Sequence, residues 1–438
     1  MRPRFVVLLW LTACAAVPRL PAASAARIDA AAVKEVKDGA VAGVSVAVAR
    51  GGEVTFAAGW GLASLDPPIP AGADTRYRIQ SIAKLLTAVA ALKLVEDGRL
   101  ALADPVARWF PGLPAGVTVR HLLTHTSGLA DFWKLEPYKR SPPERPVDVV
   151  PLVAAAPPNF APGTRFDYAN TNFLLLGLIV ERVAGRPLAD VLADAVFRPA
   201  GMTATGLDCD AISTRGYART EGKLAPAPPF VVPAGDGSAS VCASAPDLAR
   251  FAQALVSGKL LRPDTVTAML TPQALADGRT IPFGLGADLE PFDGRPAFGH
   301  LGGGAGFVAR LTHFRDEGVT VVVLANTASG SVTRLRFYAG RAARGVLDPG
   351  GTPRPVPADR VAAFRGDWRF DGFVLTVYDK DGAMWARVND PAGERLVYLG
   401  DDVFGGTEEP DIRLRFSGDE LVLDYYGTPM TARRAPPR

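Results

Sequence analysis

The chain has 438 residues, enough for one large core and a smaller satellite domain. With 48% hydrophobic and 21% charged residues it has the composition of a soluble globular protein. Its 48 Lys and Arg nearly cancel 45 Asp and Glu, leaving +3 and no long basic block, which excludes nucleic acid as a partner class.

The N-terminus reads as a targeting segment, residues 1–25. Arg2 and Arg4 form a positive start and Phe5 to Ala13 a short apolar core, too short to span a bilayer. Ala23-Ser24-Ala25 fits a small-x-small cleavage site and is the preferred outcome. Leu11-Thr12-Ala13-Cys14 resembles a lipobox, which would make Cys14 a lipid anchor. Either outcome implies export to the periplasm or beyond, and no later stretch reads as a transmembrane helix. Export would put Cys209 and Cys242 where thiols can pair, although two cysteines alone do not establish a bridge. No Cys/His cluster has metal-ligand spacing, and neither metal nor cofactor is expected.

After the leader, Ala30 to Lys37 predicts a helix. Val44 to Ala49 and Val54 to Ala58 are short strands around the turn Arg50-Gly51-Gly52-Glu53. Trp60 to Thr75 reads as loop. The apolar positions Ile82, Leu85, Leu86, Val89, Leu92 and Val95 then give a helical period that stops at Asp97-Gly98. Asp104 to about Gly206 is helical and punctuated by prolines, with helices near His121 and from Asn172 to Val183. Asp247 to Val256 is a short amphipathic helix. Strand character returns from Phe298 to Asn326, with a hairpin at Arg315-Asp316-Glu317-Gly318, and Val332 to Val346 is helical. Strands at both ends with helices between them mean one shared sheet, hence α/β (α+β). Residues 348–358 are a Gly/Pro linker bounding a domain of residues 26–347. Residues 359–438 have short strands and turns, the texture of a small antiparallel β module.

Ser81-Ile82-Ala83-Lys84 opens the long helix, and a serine and a lysine three apart lie on one helical face. An amine that accepts its proton turns a poor hydroxyl nucleophile into a good one. Phe166-Asp167-Tyr168-Ala169-Asn170 sets a phenol and an amide before a helix; the phenol can relay a proton and the amide can orient a lysine. Phe298-Gly299-His300-Leu301-Gly302-Gly303-Gly304 puts a histidine beside glycines that permit close backbone approach and a free N–H for an oxyanion. Val117 to Leu129 is a dense segment without an assigned chemistry.

Ser81/Lys84, Tyr168/Asn170 and His300/Gly302, in that chain order, resemble the Ser-x-x-Lys, Tyr-x-Asn and Lys/His-x-Gly motifs of the serine β-lactamase and penicillin-binding protein superfamily. The likeness is to the branch holding class C β-lactamases, D,D-carboxypeptidases and esterases. Thr118 to Leu129 and Gly235 to Leu255 resemble further hallmarks, so the likeness covers about residues 28–347. It implies a β-lactamase/transpeptidase-like antiparallel sheet flanked by helices, with an all-helical subdomain. It also implies roles: Ser81 acylated, Lys84 taking its proton, and Tyr168 serving the leaving group. The N–H groups of Ser81 and Gly303 would form the oxyanion hole, and Asn170, His300 and Gly302 would line the substrate site.

Departures are Gln80 for the small residue usual before the serine, Ala169 for a common serine, His300 where true β-lactamases generally carry lysine, and Leu301 where β-lactamases and peptidases usually offer a hydroxyl to the substrate's carboxylate. Losing that donor disfavours acidic substrates. The sequence therefore implies an exported serine hydrolase of an ester or amide, esterase-like by preference, acting on a small molecule or peptide. A D,D-carboxypeptidase or β-lactamase is the alternative, and a non-catalytic binding or scaffold protein the rival from another class. Oligomeric state is left open. His121 and His125, Trp109, Trp133 and Trp368 read as packing residues, and Asp401-Asp402 and Glu408-Glu409 as solvated turns.

Overall fold

The computed structural model describes residues 19–228, 233, 235–328, 331–346, 352–388, 393–407 and 411–435. Arg2, Arg4, the apolar leader to Ala13, Cys14, linker residues 348–351 and Glu408-Glu409 lie outside the described residues.

A six-stranded antiparallel sheet forms from both ends of the main domain. Its strands are β1 (Gly43–Arg50), β2 (Glu53–Leu65), β3 (Pro68–Pro70), β4 (Ala297–Gly304), β5 (Phe307–Phe314) and β6 (Val319–Ala325), in the order β4-β5-β6-β1-β2-β3. The closure between distant segments is β1 against β6, from Val44 opposite Ala325 to Arg50 opposite Val319. Helices α1 (Ala22–Lys37) and α5 (Ser331–Ala343) pack on one face of it and α4 (Ala245–Val256) on the other, while α2 (Ala83–Glu96) and α3 (Asn170–Ala184) pack on each other in the helical layer beyond.

The two-residue period of strands assigns each side chain to a face. Val44, Val46, Val48, Val319, Val321 and Val323 pack with Ile28 of α1 and Leu335 of α5. Ala47, Ala49, Leu311, Val322 and Leu324 belong to the larger core that holds α2, α3 and α4. A central strand buried on both faces reads as a near-continuous apolar run, which is the pattern of β6, interrupted by the buried Thr320.

Three elements differ from the sequence reading. Helix α1 starts at Ala22, so Ala23-Ser24-Ala25 lies in its first turn, with Ser24 buried. Strand β2 continues through Trp60 to Leu65 and pairs with β3, where a loop was expected. Helix α2 buries every side chain from Ala83 to Leu92, so it is a core helix and not a one-faced amphipathic one.

The C-terminal strands close on themselves. β7 (Gly366–Arg369), β8 (Val374–Lys380), β9 (Ala383–Arg387), β10 (Glu394–Gly400), β11 (Val403–Gly406), β12 (Arg413–Ser417), β13 (Glu420–Tyr425) and β14 (Thr428–Arg434) form an eight-stranded antiparallel barrel. Closure leaves no sheet edge open to pairing. The barrel meets the α1/α5 layer: Tyr426 packs against Phe337 and Tyr338, and the Asp293 N–H donates to the Gly427 carbonyl. This is the sheet face opposite α2.

Candidate active site

Tyr77 and Arg78 pair with Ala243 and Cys242, and the Ile79 N–H donates to the Val241 carbonyl. Cys242 is in turn bonded to Cys209, with Cα atoms 5.4 Å apart. This short, stapled ladder delivers the chain into a 3₁₀ turn, Gln80–Ile82, that carries Ser81 at the mouth of α2. Gln80 has a φ of +50°, a left-handed conformation that a non-glycine residue adopts only under constraint. Its side chain is buried, and its amide donates to the Gly304 carbonyl at 3.1 Å.

One turn on, Lys84 is fully buried. Its ammonium donates to Ser81 Oγ at 2.9 Å, to Asn170 Oδ1 at 2.9 Å and to the Ser238 carbonyl at 3.0 Å, which uses all three donors. Burial drives its pKa from 10.5 to about 7, although the Asp236 and Asp131 carboxylates pull it upward. Asp236, also buried, is pushed up to about 6 by desolvation and held by the N–H and hydroxyl of Ser238.

Asn170 is fixed in turn by Asp131, which accepts from its N–H at 3.3 Å and from its amide at 3.2 Å. Tyr168 sits two residues before, its ring 5.0 Å from Lys84 Nζ. Its hydroxyl is buried and forms no close hydrogen bond, and burial raises its pKa while Ser81 opposes the rise. The tyrosine is therefore a protonated phenol at neutral pH, whereas Lys84 can be a free amine.

The dense segment around His125 braces this loop. His125 stacks on Tyr168 at 4.3 Å and accepts from the Ala169 N–H and the Asn172 amide, while Ser127 donates to Asn172 Oδ1 at 2.6 Å. His121 closes a capping box with Thr118 at the start of the one-turn helix Val119–Leu123.

Strand β4 forms the opposite wall. A Cβ on Gly302 would lie 2.1 Å from the Ile79 carbonyl oxygen, so glycine is what lets β4 approach the serine turn. His300 is buried, and desolvation, then Lys84 and Arg310, lower its pKa to about 3. Its Nδ1 is 2.6 Å from the Leu301 carbonyl, which only accepts, so Nδ1 carries the proton. Nε2 is left as a bare acceptor with no partner. A neutral acceptor, not a cation, thus lines this wall.

Between these walls lies a cavity of about 580 Å³. Ser81, Tyr168, His300 and Gly303 line it, with Phe166 and Phe283 as an aromatic side and Leu301 half exposed at its edge. Asp288, Glu290 and Arg310 also face it, Arg310 lying 3.6 Å from Asp288. The structure brings all seven expected site residues together. Asp131, Asp236, Ser238, Phe283, Asp288 and Glu290 escaped the sequence reading; only Asp236 and Ser238 fell inside a segment already marked, Gly235 to Leu255.

A serine and a buried lysine at the junction of an antiparallel sheet and a helical layer define a class of serine hydrolases. The beta-lactamase family model matches residues 28–344, and the chain belongs to that family. It is 30% identical over 397 residues to a D-aminopeptidase of Brucella melitensis, covering 87% of this chain and 74% of the relative. A D-amino acid amidase from Ochrobactrum anthropi SV3 superposes with a TM-score of 0.64 at 25% identity, over 74% of this chain and 100% of that one. An octameric penicillin-binding protein homologue from Pyrococcus abyssi shares the fold over 93% of this chain and 100% of its own, with a TM-score of 0.66 at 22% identity.

Proposed function

We propose that the protein is an exported serine hydrolase that cleaves an ester or amide through an acyl-enzyme on Ser81, with esters of uncharged acyl groups preferred. The observation that carries this reading is the Lys84 amine, 2.9 Å from Ser81 Oγ and held near neutrality by burial. Free Lys84 takes the hydroxyl proton as Oγ attacks the carbonyl carbon. The oxyanion forms between the N–H groups of Ser81 and Gly303. Collapse breaks the bond to the alcohol or amine, which leaves with a proton relayed through Tyr168. Water, giving its proton to the same pair, then attacks the acyl carbon and frees Ser81.

The ester preference rests on the cleft's charges. Leu301 offers no hydroxyl, His300 is neutral, and Asp288 and Glu290 oppose Arg310, the cation that lines the cavity, so a substrate carboxylate meets no unopposed positive charge there, which disfavours β-lactams and peptides ending in D-alanine. The same two carboxylates would welcome an ammonium group. They favour a second reading, amides of amino acids with a free α-amino group, which the D-aminopeptidase and D-amino acid amidase relatives also support. Export is supported by the N-terminal leader and by the Cys209–Cys242 bond.

A fluorophosphonate probe should label the wild type and not Ser81→Ala. Among p-nitrophenyl esters, alanine p-nitroanilides of either hand and nitrocefin, the esters should turn over fastest and nitrocefin slowest. Nitrocefin in first place would overturn the substrate reading, and a wild type that resists the label would overturn the acyl-enzyme. Mass spectrometry of the protein from the periplasm separates cleavage after Ala25 from lipidation at Cys14.

A further inference from the structure

Three rings gather on one buried histidine. His125 stacks on Tyr168 at 4.3 Å and meets the Phe166 and Phe283 rings edge-on at 6.0 and 5.3 Å. The two phenylalanines lie 5.4 Å apart, centre to centre. Phe283 is buried, and its carbonyl accepts from the Gln273 N–H at 3.0 Å. Phe166 is 37% exposed and lines the catalytic cavity, as do Ile281 and Pro282. A large ring held open on a cavity wall by packed rings behind it suits another ring, because aromatic pairs prefer offset or edge contacts.

Strand alternation separates this wall from the charged lining. His300 lies 5.9 Å from Tyr168 and 6.4 Å from Phe283, ring to ring. Leu301 points to the other face of β4, where its register partner Arg310 pairs with Asp288. The cavity therefore has an aromatic side at Tyr168 and a charged side beyond Leu301.

We propose that the substrate is an ester whose alcohol part carries one aromatic ring, seated against Phe166 and Phe283, and that Phe166 determines this specificity. The proposal rests on the acyl-enzyme reading. Ser81 Oγ bonds to the carbonyl carbon, the bond from that carbon to the alcohol oxygen breaks, and the oxygen takes the Tyr168 proton, which the Lys84 ammonium replaces. The leaving oxygen must reach the phenol, so the group it carries runs on along Phe166. The acyl group leads the other way, toward Leu301.

Benzyl acetate and methyl phenylacetate test this, being isomers that differ in which side of the ester bears the ring. With each kcat/KM divided by that ester's rate of alkaline hydrolysis, benzyl acetate should lead by about ten-fold or more. Phe166→Ala should raise the KM for benzyl acetate and bring the ratio toward one, whereas damage to the fold would slow both esters alike. Should that variant misfold, Phe166→Leu keeps apolar bulk without the ring and should lower the ratio about three-fold, and Phe166→Tyr should restore it. Protein that takes a fluorophosphonate at Ser81 yet ranks the isomers equally or in reverse, or turns over neither, overturns the aromatic site and leaves the acyl-enzyme standing. So does a ratio that Phe166→Ala or Phe166→Leu leaves unchanged. Absence of the label overturns the acyl-enzyme, and this proposal with it.

Discussion

The rate of Ser81 acylation should follow the protonation of Lys84. An ordinary lysine, at 10.5, is free base in roughly one molecule in three thousand at pH 7. Burial lowers Lys84 to about 7, a bias of about 5 kcal/mol toward the neutral amine, so about half the molecules carry a competent base at that pH. kcat/KM should therefore fall about ten-fold per unit below pH 7 and level off above pH 8. Asp236 supplies the handle. Its carboxylate favours the ammonium form, so Asp236→Asn, which keeps an acceptor for the Ser238 N–H, should move the acidic midpoint down. A shift of about one unit corresponds to about 1.4 kcal/mol. At pH 6 the free-base fraction then rises about five-fold and the rate with it. Fluorophosphonate labelling followed across pH 5–9 reads this without knowledge of the substrate. A midpoint that moved toward alkali in Asp236→Asn, or no acidic limb at all, would refute Lys84 as the base.

Three other outcomes follow from named contacts. His300 and His313 are held neutral by burial, down to about 3 and about 4 from 6.5, so below pH 6.5 the unfolded chain binds more protons than the folded one. Stability should be intact above that pH and fall by about 3 kcal/mol per histidine toward pH 4, and His313→Asn should flatten the urea midpoint's slope between pH 6.5 and 4. Gly302→Ala forces a Cβ against the Ile79 carbonyl and should cost acylation about 100-fold, measured as kcat, with a stability loss of about 1–3 kcal/mol. Removing the Cys209–Cys242 bond opens a 33-residue separation and should cost about 3–4 kcal/mol in denaturant unfolding.

The groups proposed to react were legible because their spacing is local. Ser81 and Lys84 are one helical turn apart, Tyr168 and Asn170 flank a helix start, and His300 and Gly302 alternate on one strand. What the eye misread was set by contacts between distant segments. Gly59 and Gly61 break the alternation of β2 and suggest a loop, yet a Cβ at Gly59 would lie 2.7 Å from Gly72 Cα, so the glycine serves a strand crowded by a neighbouring segment. Asp131, Asp236, Asp288 and Glu290 carry no pattern at all. They reach the site from loops that the fold converges there, and a carboxylate in a loop looks like any solvated one. Four of the barrel's strands, β8, β9, β12 and β13, were legible one by one; β7, β10, β11 and β14 were not, and the closure that joins β7 to β14 across the whole module leaves no local mark.

On the proposed reading the neutral His300 sets what the cleft attracts, and one substitution tests it. Lysine at position 300 would restore a cation beside Lys84, and two effects should follow together. A second positive charge disfavours the Lys84 ammonium, so the acidic midpoint should drop below its value of about 7. The cleft would also gain a partner for a substrate carboxylate, against the repulsion of Asp288 and Glu290. His300→Lys should therefore raise kcat/KM for nitrocefin at least ten-fold relative to a neutral p-nitrophenyl ester near pH 7, a ratio in which the state of Lys84 cancels, and the gain should fade toward alkaline pH as burial strips the new ammonium of its proton. If the variant still labels at Ser81 but the ranking stays as in the wild type, charge at position 300 is not what sets the preference. Pocket shape, from Phe166, Phe283 and Leu301, would then have to be the cause.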